Sequence, residues 1–304
     1  MKGKWNLRIG ILLFLLVFGI YVRFHRRSAS YIKRYRLLNI PDSTHIVEFD
    51  IIKSGDTIRL NKKTNRWSVS LEGRKLPANA NKIENLASKL AEAKYQIAGL
   101  NTKDLKEYGI SDSASTILTI KTDRGETKTL IIGKRGPTYS SFYFVFPDKK
   151  KVYLLLGVAP YIVSTEAEAY RDKNVVNLKV DDIKSFTLIS DRDTLRITRM
   201  GDSLKSDPPR DTATIKATLN RARVLTAFGF ADELPDSITG IKSSNKKIVF
   251  ITQQDDTIKI TVGKKGKHAL YVASSKRPGE VFKVYLSWFD EVLKKAGMLT
   301  SSRS

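Results

Sequence analysis

Apolar residues are distributed along this chain in three ways: one unbroken apolar run, long stretches of strict alternation, and two stripes at helical spacing. Alternation with period two places every second side chain on one face of a strand, whereas recurrence at three and four residues places them on one side of a helix. HIVEFDIIK, from His45, and TIRLNKK, from Thr57, alternate around Ser54-Gly55-Asp56, a tight-turn signal, and predict a hairpin. RWSVSL, from Arg66, adds a third strand. Ile83, Leu86, Leu90, Ala93 and Ile97 then predict a helix, with Asn81-Lys82-Ile83-Glu84 resembling a capping box. ILTIKT, TKTLIIG, FYFVF and VYLLL read as further strands, and a short helix is expected around Pro160 to Tyr170.

The second half of the chain repeats this order. FTLISDRDTLRITRM, from Phe186, aligns with FDIIKSGDTIRLNKK, from Phe49: Phe49, Asp56, Thr57 and Arg59 meet Phe186, Asp193, Thr194 and Arg196 at a constant offset of 137. Gly109-Ile110 meets Gly240-Ile241 at 131, and LIIGKRG (Leu130–Gly136) meets ITVGKKG (Ile260–Gly266) at 130. A preserved order with slowly drifting offsets indicates duplication with small loop deletions. Asp207-Pro208-Pro209 predicts that the third strand of this copy is shorter or absent, since proline cannot donate to a ladder. Asp211 is placed to cap a helix whose buried face is Ile215, Leu219, Ala222, Leu225 and Phe228. KIVFIT, TIKITVG, ALYVAS and VFKVYL follow, and a last helix runs from Ser287 to Ala296. The expected fold is α+β: two tandem copies of a mainly antiparallel sheet unit with covering helices, residues 37–178 and 179–304.

The apolar run Ile9–Val22 is 14 residues without a charge. That is short for a spanning helix, for which about 20 residues are usual, but Trp5 and Tyr21 suit the two interfaces and Arg8 and Arg23 can snorkel. Arg23 to Arg27 separate it from the small residues Ser28-Ala29-Ser30, a poor context for signal cleavage. The expectation is one uncleaved N-terminal transmembrane helix with its basic flank, residues 1–36. Three cations precede the run and Arg23, Arg26, Arg27, Lys33, Arg34 and Arg36 follow it. The positive-inside rule would keep the large part cytoplasmic; cations lying against anionic head groups on the outer face are the alternative.

Composition narrows the chemistry. The 304 residues are 41% hydrophobic and 28% charged, as in ordinary globular chains. No cysteine is present, which excludes disulfides, thiol nucleophiles, zinc–thiolate sites and a lipid-modified cysteine, and leaves the redox compartment open. The net charge is +23; residues 1–36 hold nine cations and no acid, leaving 45 cations against 31 anions for the remainder. That surplus suits a membrane surface or another anionic partner, or simply a solvated lysine-rich surface.

Candidate chemistry is sparse. LIIGKRG lacks the glycine spacing of a phosphate-binding loop and precedes a strand, SSFYFVF, rather than a helix. It reads as a β-turn whose glycines take positive φ and whose cations, Lys134 and Arg135 with Lys264 and Lys265 in the second copy, keep the edge soluble. His25, His45 and His268 have no metal-ligand spacing, and no nucleophile elbow, zinc motif or dinucleotide fingerprint occurs. Asp181-Asp182 and Asp255-Asp256 fall in turns, and Glu166, Glu168 and Asp172 read as the polar face of a short helix. Phe142, Phe144 and Phe146 share one face of a strand, which points to core rather than to a base-stacking platform. No catalytic, cofactor or metal site is assigned, and no nucleic acid is expected as a partner.

The ordered pieces FHRRSAS, LLNIPDSTHIVEFDI, GDTIRL, RWSVSL, EYGI, LIIGK, YRDKNVV and DDIKSFTL resemble a bacterial family, the domain of unknown function numbered 4340. The second copy departs from the pattern by lacking the tryptophan strand and by carrying Thr239-Gly240-Ile241 where the first has Tyr108-Gly109-Ile110. The resemblance implies a single-pass protein of the cytoplasmic (inner) membrane with its repeats outside the cytoplasm, encoded beside gliding-motility-type ABC transporters, and no catalytic residues to carry over. Arg171 and Asp172, in YRDK, are the pair most suspected of a shared role, with a helix-end ion pair as the structural reading. The functional expectation is a non-enzymatic, membrane-anchored interaction or scaffold module accessory to an ABC-type transporter or envelope machine. The alternatives are an envelope binding protein for an anionic lipid or glycan, and an uncharacterised hydrolase.

Overall fold

The computed structural model describes residues 15–18, 21, 33–71, 73–99, 104–111, 115–191 and 193–298. The expected anchor, Ile9–Val22, lies outside these residues apart from Leu15–Phe18 and Tyr21, which are helical and exposed. No helix among the described residues is long and apolar enough to cross a membrane. The protein is sheet-rich α+β, and every strand pair with a described register is antiparallel. It divides into two compact units, one formed by residues up to Leu76 with Ala80–Thr165, the other by Pro77–Asn79 with Glu166 onward.

In the first unit the strands are β1 (Tyr35–Arg36), β2 (Ile46–Lys53), β3 (Asp56–Lys63), β4 (Arg66–Leu71), β5 (Arg74–Pro77), β6 (Lys94–Gly99), β7 (Thr116–Thr122), β8 (Thr127–Arg135), β9 (Ser141–Val145) and β10 (Val152–Leu156). They form one sheet in the order β1-β6-β10-β9-β8-β7-β2-β3-β4-β5. Ser54 and Gly55 turn the β2–β3 hairpin with φ of 53° and 94°. Two successive positive φ values match the right-handed twist of the flanking strands. Alternation then buries Phe49 and Ile51 on β2, Leu60 on β3, Val69 on β4 and Leu118 and Ile120 on β7. Phe49 is the middle of this face: it pairs with Leu60 and Ile120 on its two neighbours and stacks on Trp67, ring centroids 5.8 Å apart.

The second unit contains β11 (Asn174–Asn177), β12 (Ile183–Ile189), β13 (Thr194–Met200), β14 (Ser203–Asp207), β15 (Val224–Thr226), β16 (Gly229–Phe230), β17 (Lys247–Thr252), β18 (Thr257–Lys265), β19 (Leu270–Ser274) and β20 (Val281–Val284). β11 and β15 pair alone; the others form a sheet in the order β14-β13-β12-β17-β18-β19-β20-β16. Substituting β4, β3, β2, β7, β8, β9, β10 and β6 in turn reproduces the order of the first sheet without its β1 and β5 edges. Phe186 occupies the place of Phe49, paired with Ile197 and Phe250, and sits in a core that also takes Ile215, Leu219, Trp288 and Val292 from two helices.

The third strand of the second unit is the shorter one expected, not absent: Ser203–Asp207 has five residues against six for β4, and Pro208 and Pro209, just beyond its last ladder residue, stop it. Other expectations need correction. The first helix is Ala80–Glu92, burying Ile83, Leu86, Ala87, Leu90 and Ala91. Ile97 is not on it but on β6, 39% exposed, since the run Tyr95-Gln96-Ile97 finds ladder partners on β10. Likewise the second helix, Thr212–Ala222, capped by Asp211 accepting from Thr214 N, ends before Leu225, which is buried on β15, and Phe228, which is exposed. Helical and strand periods share positions three or four apart over so short a window, and ladder pairing decides between them. Pro160 to Tyr170 contains two 3-10 turns, Pro160–Ile162 and Ala167–Tyr170, in place of a helix. The closing helix is Trp288–Lys295; Ser287 precedes it and donates its hydroxyl to Glu291 (2.6 Å) without bonding a helix amide.

Phe186→Ala removes a fully buried ring from the centre of the second core and is expected to lower the unfolding free energy by about 3–5 kcal/mol in a urea titration. A loss below about 1 kcal/mol would show that the site can collapse and that Phe186 is not central.

Candidate functional site

The sequence pattern shared by both units, Gly-Ile followed later by Gly-Lys, is one structural junction. In the first unit the 3-10 turn Leu105–Tyr108 ends at Gly109, in the left-handed conformation with φ 70°, its N–H returning to the carbonyls of Leu105 and Lys106. In the second, the single turn Asp236–Thr239 ends at Gly240 with φ 62°. Both residues terminate a helical turn as C-cap glycines do. Each turn then lies directly on a strand glycine. A Cβ added to Gly133 on β8 would overlap the carbonyl oxygen of Tyr108 and fall 2.7 Å from Ile110 Cγ1. One added to Gly263 on β18 would overlap the carbonyl oxygen of Thr239 and fall 2.9 Å from Ile241 Cδ1. The contact is made by a main-chain oxygen, which explains how Tyr108 and Thr239 serve equally in a place where their side chains differ.

This corrects the expectation that the four Gly-Lys glycines take positive φ. Gly133, Gly136, Gly263 and Gly266 all lie outside the left-handed region, and their value is the missing side chain. Gly136 faces Ser141 Oγ and Leu154, and Gly266 faces the Tyr271 hydroxyl. The ladder register slips between Ile132 and Arg135 and between Val262 and Lys265, so both units carry a bulge at the glycine–lysine step.

Beside each junction the surface is concave. The second unit has a cleft of about 970 Å³ whose floor includes Gly240, Val262, Gly263 and Leu270 and whose wall includes Phe289 and Leu293. Its rim is charge-paired: Lys246 Nζ lies 2.9 Å from Asp191 and Lys265 Nζ 2.5 Å from Asp290, while Lys264 donates to the Ser237 carbonyl at 3.0 Å. The first unit has a cleft of about 390 Å³ over Gly109 and Gly133, lined by Lys53, Lys134, Pro160 and Tyr161. Arg135 stands beside it with its guanidinium 4.8 Å from the Tyr139 ring centroid. Of the four cations named from the sequence, Lys134, Lys264 and Lys265 line these clefts. Lys264 and Lys265 are tied into a carbonyl bond and an ion pair, whereas Arg135 lies over an aromatic ring.

Arg171 and Asp172 are elsewhere and are not a helix-end pair. Arg171 follows the turn Ala167–Tyr170, bridges to Ala78, and is 3% exposed. Its Nη2 lies 2.7 Å from both Asp232 and Glu280, and its guanidinium lies over the Phe230 ring at 3.3 Å. Arg277 grips Glu280 through Nε at 2.5 Å and Nη2 at 2.8 Å, and reaches the Asp172 carbonyl at 3.1 Å. Asp172 itself accepts from the amide and side chain of Asn174, and Glu168, read as surface, accepts from the Phe230 amide at 3.1 Å. Burial alone would push the Glu280 carboxyl up; hydrogen bonds from Arg277 and Arg171, with their charges, outweigh it and hold the group below its usual range. Asp232, Arg277 and Glu280 lie far along the chain from YRDK, and nothing local in the sequence marks them as its partners. The network ties three loops of the second unit together and offers no open site.

Among the described residues, no group of three or more His, Asp or Glu side chains has the arrangement to hold a metal ion. His45 is engaged with Asp123 at 3.0 Å. The family model named Domain of unknown function (DUF4340) matches residues 67–246, more than half of the chain, and the chain belongs to that family. No curated protein and no solved structure matches it.

Two consequences are measurable. Gly133→Ala and Gly263→Ala place a methyl against a main-chain oxygen and are each expected to cost about 1–3 kcal/mol of stability by denaturant titration; equal stability to the parent would refute the docking role. Glu280 has a depressed folded pKa, so its stabilisation is complete above the unfolded carboxylate value of about 4.3 and is lost as pH falls through the folded one. Glu280→Gln removes the carboxylate that Arg171 and Arg277 share, leaving them Asp232 and Asp172, and should cost about 1.5–3 kcal/mol at pH 7, with the parent and variant curves converging in acid. Parallel curves down to pH 2 would overturn this reading.

Proposed function

We propose that this DUF4340 protein is a non-enzymatic interaction module held at the bacterial cytoplasmic membrane by a single N-terminal helix, Ile9–Val22, with both units outside the cytoplasm. Its partner is a component of an ABC-type transporter or a comparable envelope machine. The observation that carries this is the repeated cleft beside a rigid junction: two surfaces of one design, each built on a main-chain contact. Preformed concave surfaces of this kind suit recognition, since little ordering is needed on binding. The apolar run with its aromatic and arginine flanks supports the anchor.

A second reading, an envelope protein that binds an anionic lipid or glycan, is favoured by one observation. Among the described residues, the cleft of the first unit is lined by Lys53 and Lys134, with Arg135 beside it, and by no acidic residue.

Alkaline phosphatase fused after Ser304 should be active and a fluorescent protein at the same place dark. A photo-crosslinking residue at Ser243, in the second cleft, should give an adduct with a membrane-embedded transporter subunit in the native cell. A cytoplasmic C-terminus, or adducts confined to soluble cytoplasmic proteins, would overturn the proposal.

A further inference from the structure

The two clefts share a floor but differ at the rim, and the difference has a definite origin. In the second unit the β18–β19 hairpin closes with two residues, Lys267 and His268, between Gly266 and Ala269, whose amide and carbonyl bond at 2.8 Å. In the first unit the corresponding bond, Gly136 N to Ser141 O at 2.9 Å, encloses four residues, Pro137 to Ser140. The longer tip carries Tyr139. It is braced from below: the buried Ser141 hydroxyl accepts from the Thr138 amide at 3.1 Å and donates to the Thr138 carbonyl at 2.9 Å, and Ser140 accepts from the Gly157 amide.

Tyr139 meets Tyr161, from the turn Pro160–Ile162, with ring centroids 5.6 Å apart and planes at 50°. The rings are 60% and 65% exposed, so the pair is an aromatic platform on the surface and no part of the core. Cations surround it: Arg135 over Tyr139, and Lys134 and Lys53 lining the cleft that Tyr161 enters. Glu107 lines a neighbouring depression that Lys134 also borders, and does not line this one. Among the described residues the second cleft has no comparable combination, because its lysines Lys246 and Lys265 are paired with Asp191 and Asp290 on the same rim.

We infer that the cleft of the first unit binds an acidic saccharide, a sugar ring carrying a carboxylate or phosphate, and that the cleft of the second does not. Tyr139 and Tyr161 take the apolar C–H face of the ring, which lies flat on an aromatic surface, while its hydroxyls stay wet at the edge. Lys53, Lys134 and Arg135 take the anionic group. A volume of about 390 Å³ is that of a small-ligand site, and the cations gather at one depression. A single-stranded nucleic acid would instead need cations tracking its backbone over about four or more nucleotides. The inference rests on the second reading above, for which it names the ligand class and the unit.

The full chain in nanodiscs of zwitterionic lipid is titrated calorimetrically with tetragalacturonate, maltotetraose, glycerol phosphate and an oligothymidylate. Tetragalacturonate should bind at one site per chain, more weakly as ionic strength rises from about 0.05 to about 0.3 M. Tyr139→Ala and Tyr161→Ala should each weaken it at least about fivefold, with Tyr161→Phe within about twofold of the parent. Lys276→Ala, which removes an exposed cation of the second unit paired with Asp256, should change nothing. In the unsubstituted protein, saturation of tyrosine ring protons should transfer to sugar C–H protons, a readout that no folding defect can mimic.

Maltotetraose bound as tightly, two sites per chain, insensitivity to both tyrosines, or tighter binding of oligothymidylate would each overturn the inference. Glycerol phosphate bound through Lys134 without the tyrosines, with tetragalacturonate ignored, would overturn it while leaving the anionic-lipid form of the second reading intact. No binding of any titrant would overturn both.

Discussion

The contact on which both units depend is between a main-chain carbonyl and a strand position that has no side chain. At Tyr108 over Gly133, and at Thr239 over Gly263, a helical turn is pressed so closely onto a strand that one methyl group would not fit. Two separate requirements meet there. The turn needs a left-handed residue to stop, supplied by Gly109 and Gly240, and the strand needs a bare backbone, supplied by Gly133 and Gly263. Once docked, the turn fixes the bulge that follows, and the bulge directs Lys134 and Lys264 onto the rims of the clefts. In the first unit the turn also has its own small core, Ile110 with Val145 and Val152, which holds it from the other side.

A shared junction leaves the surroundings free to diverge. Two additional hairpin residues in the first unit raise Tyr139 beside Tyr161, whereas the second unit uses Asp191 and Asp290 to neutralise its own lysines. Exposed ion pairs of this sort contribute little to stability, but they decide whether a rim presents net charge. Duplication therefore produced two clefts with one floor and two electrostatic characters.

The second unit has one further feature without a counterpart in the repeat pattern. Its buried network of Arg171, Arg277, Glu280, Asp232 and Asp172 joins the segment before β11 to the β19–β20 turn and to the residues after β16. Taking these charges out of water is unfavourable, and the bidentate grip of Arg277 on Glu280 with the stacking of Arg171 on Phe230 offsets it. Such a network specifies geometry: a carboxylate held by two guanidinium groups has few alternative arrangements.

Much of this was legible in the residues. Alternation around Phe49 and Phe186, the Ser54-Gly55 turn, the Asp211 cap and the matching offsets of Gly-Ile and Gly-Lys were enough for strands, hairpins and duplication, because each is a local preference of backbone or side chain. Where a helix stripe ran into a strand, as at Ile97 and Leu225, local pattern misled, since a ladder partner many residues away settled the matter. The partners of Arg171 were hidden for the same reason: charge attraction has no sequence period, and Glu280 is 109 residues distant. By itself the sequence determined that the chain is a duplicated, antiparallel, glycine-punctuated fold. Only the tertiary structure decided that Gly133 and Gly263 are contact points instead of turn residues, and that Tyr139 and Tyr161 meet, because both depend on how closely separate segments approach in space.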